Sequence, residues 1–296
     1  MEPFKNNVKD VALIFEGGGL RNSYSSAVVN VLLENGIYFD SVYAVSAGAS
    51  NAINYLSRDL DRSRLTFTEH ADDMPFRKVE HLLLKSNLLA SPSIKYNDSP
   101  SNKLPFDFDA FQANPAQLTI KGINRDTGET VYWTRKDFTT EEKLMERVRA
   151  TLSYPIVMPP ATLEGENEGM FYDGGPGEGG GIMVPRARHD GFSRFFVVCT
   201  QHKGFRKRVG HRRIFEAFFW RRPHMREALK TWPQRYNEQL DELVELEANG
   251  EAYVFYACDQ SAIKREVDMT KLKNNFELGY QQAQNEVEKW ATFLGL

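Results

Sequence analysis

Two short apolar runs, each ending in small residues and each followed at once by a helical pattern, constrain this chain more than any other feature. Val11-Ala12-Leu13-Ile14-Phe15 contains nothing polar, the pattern of a strand covered on both faces, and it ends in Glu16-Gly17-Gly18-Gly19. Ser25 to Leu33 then places Ala27, Val28, Val31 and Leu32 at helical spacing and stops at Asn35-Gly36. Ser41-Val42-Tyr43-Ala44-Val45 opens a second unit, Ser46 follows, and Ala47 to Leu56 reads as a helix rich in small residues. Tandem strand-turn-helix units imply right-handed crossovers and an α/β fold built on a mainly parallel sheet.

The rest of the chain extends that pattern. Arg58 to Lys85 reads as helical and charged with an interruption at Pro75, and residues 90–117 read as a Pro-rich loop or lid. Leu118–Ile123 and Thr130–Thr134 predict a hairpin across 124–129, and a helix capped at Thr139 or Thr140 runs through Leu152. A second hairpin over 161–172 leads into Asp173-Gly174-Gly175, and Arg194–Thr200 is another buried strand. Helices over 232–248 and 270–294 surround one more strand, Ala252–Ala257.

Composition excludes several classes. In 296 residues, 41% hydrophobic and 26% charged side chains rule out wholesale disorder, a collagen-like fibre and a disulfide miniprotein. A net charge of −3 makes no global case for nucleic acid. Cys199 and Cys258 both lie in apolar runs, without C-x-x-C spacing, and are expected as reduced core residues. Residues 1–7 lack an apolar signal region and no run approaches the roughly 18 apolar residues of a membrane span, so a soluble, cytoplasmic protein is expected.

Two motifs carry chemistry. Gly17-Gly18-Gly19 at a strand-to-helix turn lets backbone N–H groups face a bound oxygen beside a helix N-terminus, an oxyanion or anion cradle; the alternative is a plain tight turn. A phosphate loop of the G-x-x-x-x-G-K-[ST] type is absent, whereas the dinucleotide pattern G-x-G-x-x-G is met at Gly17 and Gly19 and fails at Asn22. Asp40, 23 residues beyond Gly17, keeps a nucleotide-binding reading open. Ala44-Val45-Ser46-Ala47-Gly48 fits a nucleophile elbow, with Ala44 where that motif has glycine; close helix–sheet packing explains the same small residues. A serine nucleophile needs a base. The elbow comes too early for an α/β-hydrolase, and none of the histidines at 70, 81, 189, 202, 211 and 224 has triad spacing, which leaves Asp173 as the better candidate. Calcium-loop and zinc spacings are absent, and neither metal nor cofactor is expected.

Taken in order, Glu16-Gly17-Gly18-Gly19-Leu20-Arg21, Ala44-Val45-Ser46-Ala47-Gly48 and Asp173-Gly174-Gly175 resemble the patatin-like phospholipases, whose patterns are a G-G-G-x-[KR]-G loop, a G-x-S-x-G elbow and a D-G-[GA] turn. Asn22 and Ala44 depart from those patterns, and both put catalytic efficiency in question more than fold. Trp232-Pro233-Gln234-Arg235-Tyr236-Asn237 and the elements after it are similar to the C-terminal extension of bacterial members. The resemblance implies a three-layer α/β/α catalytic domain over residues 1–200, with residues 201–296 packed on it as a helix-strand-helix extension. It also implies a serine lipid acyl hydrolase acting on carboxylic esters, with Ser46 as nucleophile and Asp173 as general base. Gly17, Gly18, Gly19 and Ala47 would form the oxyanion hole, and Arg21 would brace the loop or contact a lipid phosphate. A nucleotide-binding α/β protein and a non-catalytic lipid-binding member of the family remain the competing readings.

Residues 203–230 are a segment apart. They hold ten Lys or Arg against two Glu, a local charge of +8 that leaves −11 for the remainder. Phe215, Phe218, Phe219 and Trp220 among Arg212, Arg213, Arg221 and Arg222 suit peripheral contact with an anionic membrane, or else a helix whose aromatics join the core. The apolar residues Leu88, Leu89, Phe106, Phe108 and Phe111 suit either substrate access or ordinary packing.

Overall fold

The computed structural model describes residues 4–71, 104–165, 168–208, 212–258 and 268–296, the side chains of 212–214 excepted. Its centre is a sheet in the order β5-β6-β3-β2-β1-β7-β8, with β4 on the outer edge of β3. β1 (Val11–Phe15), β2 (Ser41–Val45), β3 (Gln117–Asn124), β7 (Arg194–Val198) and β8 (Ala252–Phe255) pair in parallel. β4 (Thr130–Thr134), β5 (Ala161–Leu163) and β6 (Gly169–Asp173) are antiparallel to their neighbours.

Alternation along β1 divides the core. Val11, Leu13 and Phe15 face one side with α1 (Asn22–Glu34), α2 (Ala47–Leu56) and α9 (Met269–Leu294). Ala12 and Ile14 face the other with α6 (Val184–His189) and α8 (Pro223–Ala248). Helices therefore cover both faces, which is why the central strands carry no polar stripe. The result is the expected three-layer α/β/α architecture with a helix-strand-helix extension, α8-β8-α9. β8 continues the core sheet through β7 rather than starting a new one.

Local signals set the ends of several elements. Thr140 caps α5 (Glu141–Leu152) by accepting from Lys143 N–H, and Asp268 caps α9 by accepting from Thr270 and Lys271. α9 lies on α1 so closely that Gly279 abuts the Tyr24 carbonyl, while Trp290 fills the space between Phe196 and Phe255.

Several expectations need correction. Cys258 is exposed, because β8 ends at Phe255 and the chain leaves the sheet before reaching it; only Cys199 is buried. The helix expected over 232–248 begins at Pro223, not 232, since Pro233 sits inside α8 instead of at a helix start. In the segment 58–85, α3 (Leu60–Phe67) is helical, and the remainder from 72 lies outside the described residues. The 90–117 stretch is described only from 104, where α4 (Phe108–Ala113) follows a cap at Asp107. Phe106 and Phe111 there are buried and in ring contact, so these two serve packing; Leu88 and Leu89 lie outside the described residues.

Gly279→Ala tests the α1–α9 contact. Alanine ordinarily favours a helix interior by about 1 kcal/mol over glycine. Here the added Cβ would lie 2.3 Å from the Tyr24 carbonyl oxygen. The sign should reverse, with a loss of roughly 1–3 kcal/mol in urea unfolding.

Candidate functional site

Strand pairing creates the site. β2 and β4 both pair with Thr119 to Lys121 of β3, so they occupy opposite edges of that strand. β6 pairs with Gly122 to Asn124, where β4 already holds the outer edge, and so it lies on the β2 side. Val45 is opposite Lys121 and Asp173 is opposite Gly122, which brings the carboxyl ends of β2 and β6 together along one edge of β3. Ser46 and Asp173, 127 residues apart, meet there: Ser46 Oγ donates to Asp173 Oδ2 at 2.5 Å.

The turn at Ser46 is strained. Its φ of 55° and ψ of −137° are rarely adopted by a residue with a side chain, and such strain is stored at functional turns. Two contacts hold it. Ser46 N–H donates to Thr151 Oγ1 at 2.7 Å, and that hydroxyl donates to the Lys121 carbonyl at 2.6 Å. Gly48 permits the sharp turn, because a Cβ there would meet the carbonyl oxygens of Phe15 and Glu16 at 2.6 and 2.7 Å.

The glycine loop borders the serine. A Cβ on Gly17 would sit 2.8 Å from Ser46 Cβ, so the loop backbone passes directly beside the hydroxyl-bearing residue. Among the described residues no acceptor is assigned to the backbone N–H of Gly17, Gly18, Gly19 or Ala47. Of these four residues, Gly17 passes directly beside Ser46 and Ala47 follows it in the chain.

Asp173 is buried, and burial raises its carboxyl above the ordinary 3.8; the Ser46 hydroxyl, the Gly175 N–H and the charges of Lys121 and Lys207 pull it back down. Gly175 N–H donates to Oδ1 at 2.7 Å, leaving Oδ2 to the serine. Glu16 is buried too, and its carboxyl is raised by the same cause. Lys121 is fully buried with Nζ donating to the Glu178 carbonyl at 2.5 Å. Loss of hydration lowers its ammonium to about 7 against the pull of Asp173 and Glu178.

A family model for patatin-like phospholipase matches residues 13–178, more than half of the chain. The chain belongs to the patatin-like phospholipase family. A second model, described as a domain of unknown function (DUF6363), matches residues 222–295. No curated protein sequence matches this patatin-like chain. Among solved structures, VipD from Legionella pneumophila is similar at 13% identity with a TM-score of 0.48, over 95% of this chain and 67% of that one.

The two departures from the patatin-like pattern have structural explanations. Ala44 is fully buried in the core on the α2 side of the sheet, where its methyl is accommodated. Asn22 has a φ of −65°, which does not call for glycine, and its side chain is used. Nδ2 reaches the Gly19 carbonyl at 3.3 Å, while Oδ1 accepts from Ser25 and Asn51. Arg21 is half-buried, no ion pair involves it among the described residues, and its Nε has no hydrogen-bond partner. Among the described residues, then, no salt bridge braces the loop through Arg21. Asp40 precedes the amino end of β2, about 16 Å of strand away from the glycine loop, so it cannot meet a ribose bound there.

Sequence reasoning missed Thr151, Thr200, Glu16, Lys121 and the α8 side chains Trp232, Arg235 and Tyr236. Glu16 stood in the glycine-loop motif and Trp232, Arg235 and Tyr236 in the Trp232–Asn237 stretch without a role being assigned to them, whereas Thr151, Thr200 and Lys121 carried no signal. Asp173→Asn checks the electrostatics. Because the folded carboxyl titrates above its ordinary 3.8, its contribution to stability is present below about pH 4 and is lost as pH rises through the folded value. The variant should unfold at a higher temperature than wild type near pH 7, with the difference shrinking towards pH 4.

Proposed function

We propose that the chain is a serine lipid acyl hydrolase that cleaves carboxylic esters through Ser46 and Asp173. The single observation that carries this reading is the 2.5 Å hydrogen bond from Ser46 Oγ to Asp173 Oδ2 on a strained turn beside unpaired loop N–H groups. Ser46 Oγ attacks the ester carbonyl carbon as its proton passes to Asp173 Oδ2. The carbonyl oxygen becomes an oxyanion held by N–H groups of Gly17, Gly18, Gly19 and Ala47. Collapse expels the alcohol, which takes the proton from Asp173, and leaves an acyl group on Ser46. Water then attacks the acyl carbon, giving its proton to Asp173, and the released serine recovers that proton. Burial suits Asp173 to this role, since a raised carboxyl is a stronger base.

Arg21, one turn from the glycine loop, supplies a cation for an anionic group of the substrate. Residues 1–200 form the catalytic unit and 201–296 the extension packed on it, in a cytoplasmic protein with peripheral membrane contact through 203–230. That contact is supported by the turn before α8: Phe219 is buried against Tyr172, next to Asp173, whereas its neighbours Phe218 and Trp220 are 51% and 67% exposed. No described helix is long and apolar enough to cross a membrane.

A serine-reactive fluorophosphonate, located by mass spectrometry, should label Ser46. Ser46→Ala should abolish labelling and ester turnover, and Asp173→Asn should lower turnover roughly 10²–10⁴-fold. An unlabelled, folded wild type overturns the reading. In vesicle sedimentation at low salt, the protein should prefer anionic over neutral lipid, and a Phe218→Ser, Trp220→Ser double variant should lose most of that binding. Equal binding to both lipids removes the membrane contact.

A further inference from the structure

The region of unknown function begins with α8, and α8 runs across the candidate site. Tyr236 donates its hydroxyl to Glu16 Oε1. Glu16 Oε2 accepts from Thr200 N–H at 2.5 Å and from the Thr200 hydroxyl at 3.1 Å, and that hydroxyl lies 3.3 Å from the Gly17 carbonyl. One buried carboxylate thus joins the first residue of the glycine loop, the end of β7 and α8.

The same helix holds the loop after Asp173. Trp232 Nε1 donates to the Gly180 carbonyl, and Arg235 donates to the carbonyls of Pro176 and Gly177, the latter at 3.3 Å. Gly180 lies against the α8 backbone itself, since a Cβ there would meet Tyr236 N at 2.4 Å and Cα at 2.6 Å. Asn237 fixes Lys207 through both backbone groups, placing the Lys207 ammonium 3.7 Å from the Trp232 ring centre and 4.8 Å from that of Tyr236.

We propose that α8 is a working part of the active site, a clamp that sets the glycine loop against the Asp173 loop through Tyr236–Glu16 on one side and Trp232 and Arg235 on the other. Tyr236 and Arg235 are then positioning residues for the reaction, and the role of the segment at 222–295 is catalytic support. The proposal rests on the Ser46–Asp173 reading. Its physical basis is that the carbonyls of 176, 177 and 180 lie outside any strand, while oxyanion donors and base act only when held in register. Hydrogen bonds from Tyr236 and Thr200 N–H, with the charges of Arg21 and Lys207, favour the charged form of Glu16 against the burial that raises it. The groups facing it are Tyr236 from α8, Thr200 and Cys199 from the end of β7, Tyr256 just after β8, Arg21 from the loop before α1, and Lys207.

Two conservative variants of the full chain, Tyr236→Phe and Arg235→Lys, test the clamp by hydrogen exchange and kinetics. Tyr236→Phe should speed exchange in peptides covering 16–21, and Arg235→Lys in peptides covering 174–181, with cooperative unfolding kept in both. Fluorophosphonate reaction and kcat on a short-chain ester should fall roughly 10- to 100-fold, with KM within about twofold of wild type. In Tyr236→Phe the acid limb of the rate profile should move to higher pH, because Glu16 loses a donor that favours its charged form. Val244→Ser, on the exposed face of α8, should match wild type throughout. Unchanged exchange at both loops, or a wild-type rate and acid limb in Tyr236→Phe, overturns the clamp. A wild type inert to fluorophosphonate overturns the hydrolase reading instead, and exchange still decides whether α8 holds the loops.

Discussion

The contact on which the site depends is the pairing of β6 with β3. β3 is longer than β2, and its last residues project beyond the end of Val45. β6 takes up the backbone groups left open there, and its final residue is Asp173. Two strands running in opposite directions thus end face to face on one edge of a third, and each delivers one polar side chain to the junction. Backbone hydrogen bonding, satisfied throughout a buried sheet, sets the distance between serine and carboxylate more firmly than a loop could.

Around that junction the protein places two buried carboxyls, Glu16 and Asp173, with the cations Lys121, Lys207 and Arg21 acting on one or both. Burial alone would neutralise the acids, and unpaired cations would lock them as poor bases. The balance leaves Asp173 raised but still drawn towards its charged form by the serine hydroxyl, the Gly175 N–H and two lysines. Strain at Ser46 and charge at Asp173 both cost stability, and the tightly packed sheet and α1–α9 layer around them offset it.

The extension alters how the chain divides. β8 lengthens the core sheet, α9 covers α1, and α8 reaches both loops of the site. Residues after 200 therefore complete the hydrophobic layers and contact the polar centre. The basic segment is split in the same way: Phe219 joins the core beside Tyr172, while Phe218 and Trp220 stay at the surface.

Sequence by itself determined the local events. Apolar runs of five residues made β1 and β2, glycines and small residues made the turns after them, and Thr140 and Asp268 started helices where their side chains could accept from the next turn. The order of the Gly17, Ser46 and Asp173 motifs was legible too, because each motif is short and its geometry is imposed by nearest neighbours. Tertiary structure decided what each motif meets. That Asp173 bonds Ser46, that Thr151 anchors the elbow, and that Tyr236 binds Glu16 across 220 residues are outcomes of strand register and helix docking. No periodicity announces such pairs, since the residues share no helix face and no strand. Cys258 and Pro233 make the same point: each sits in a stretch whose composition reads one way, and long-range packing placed it another.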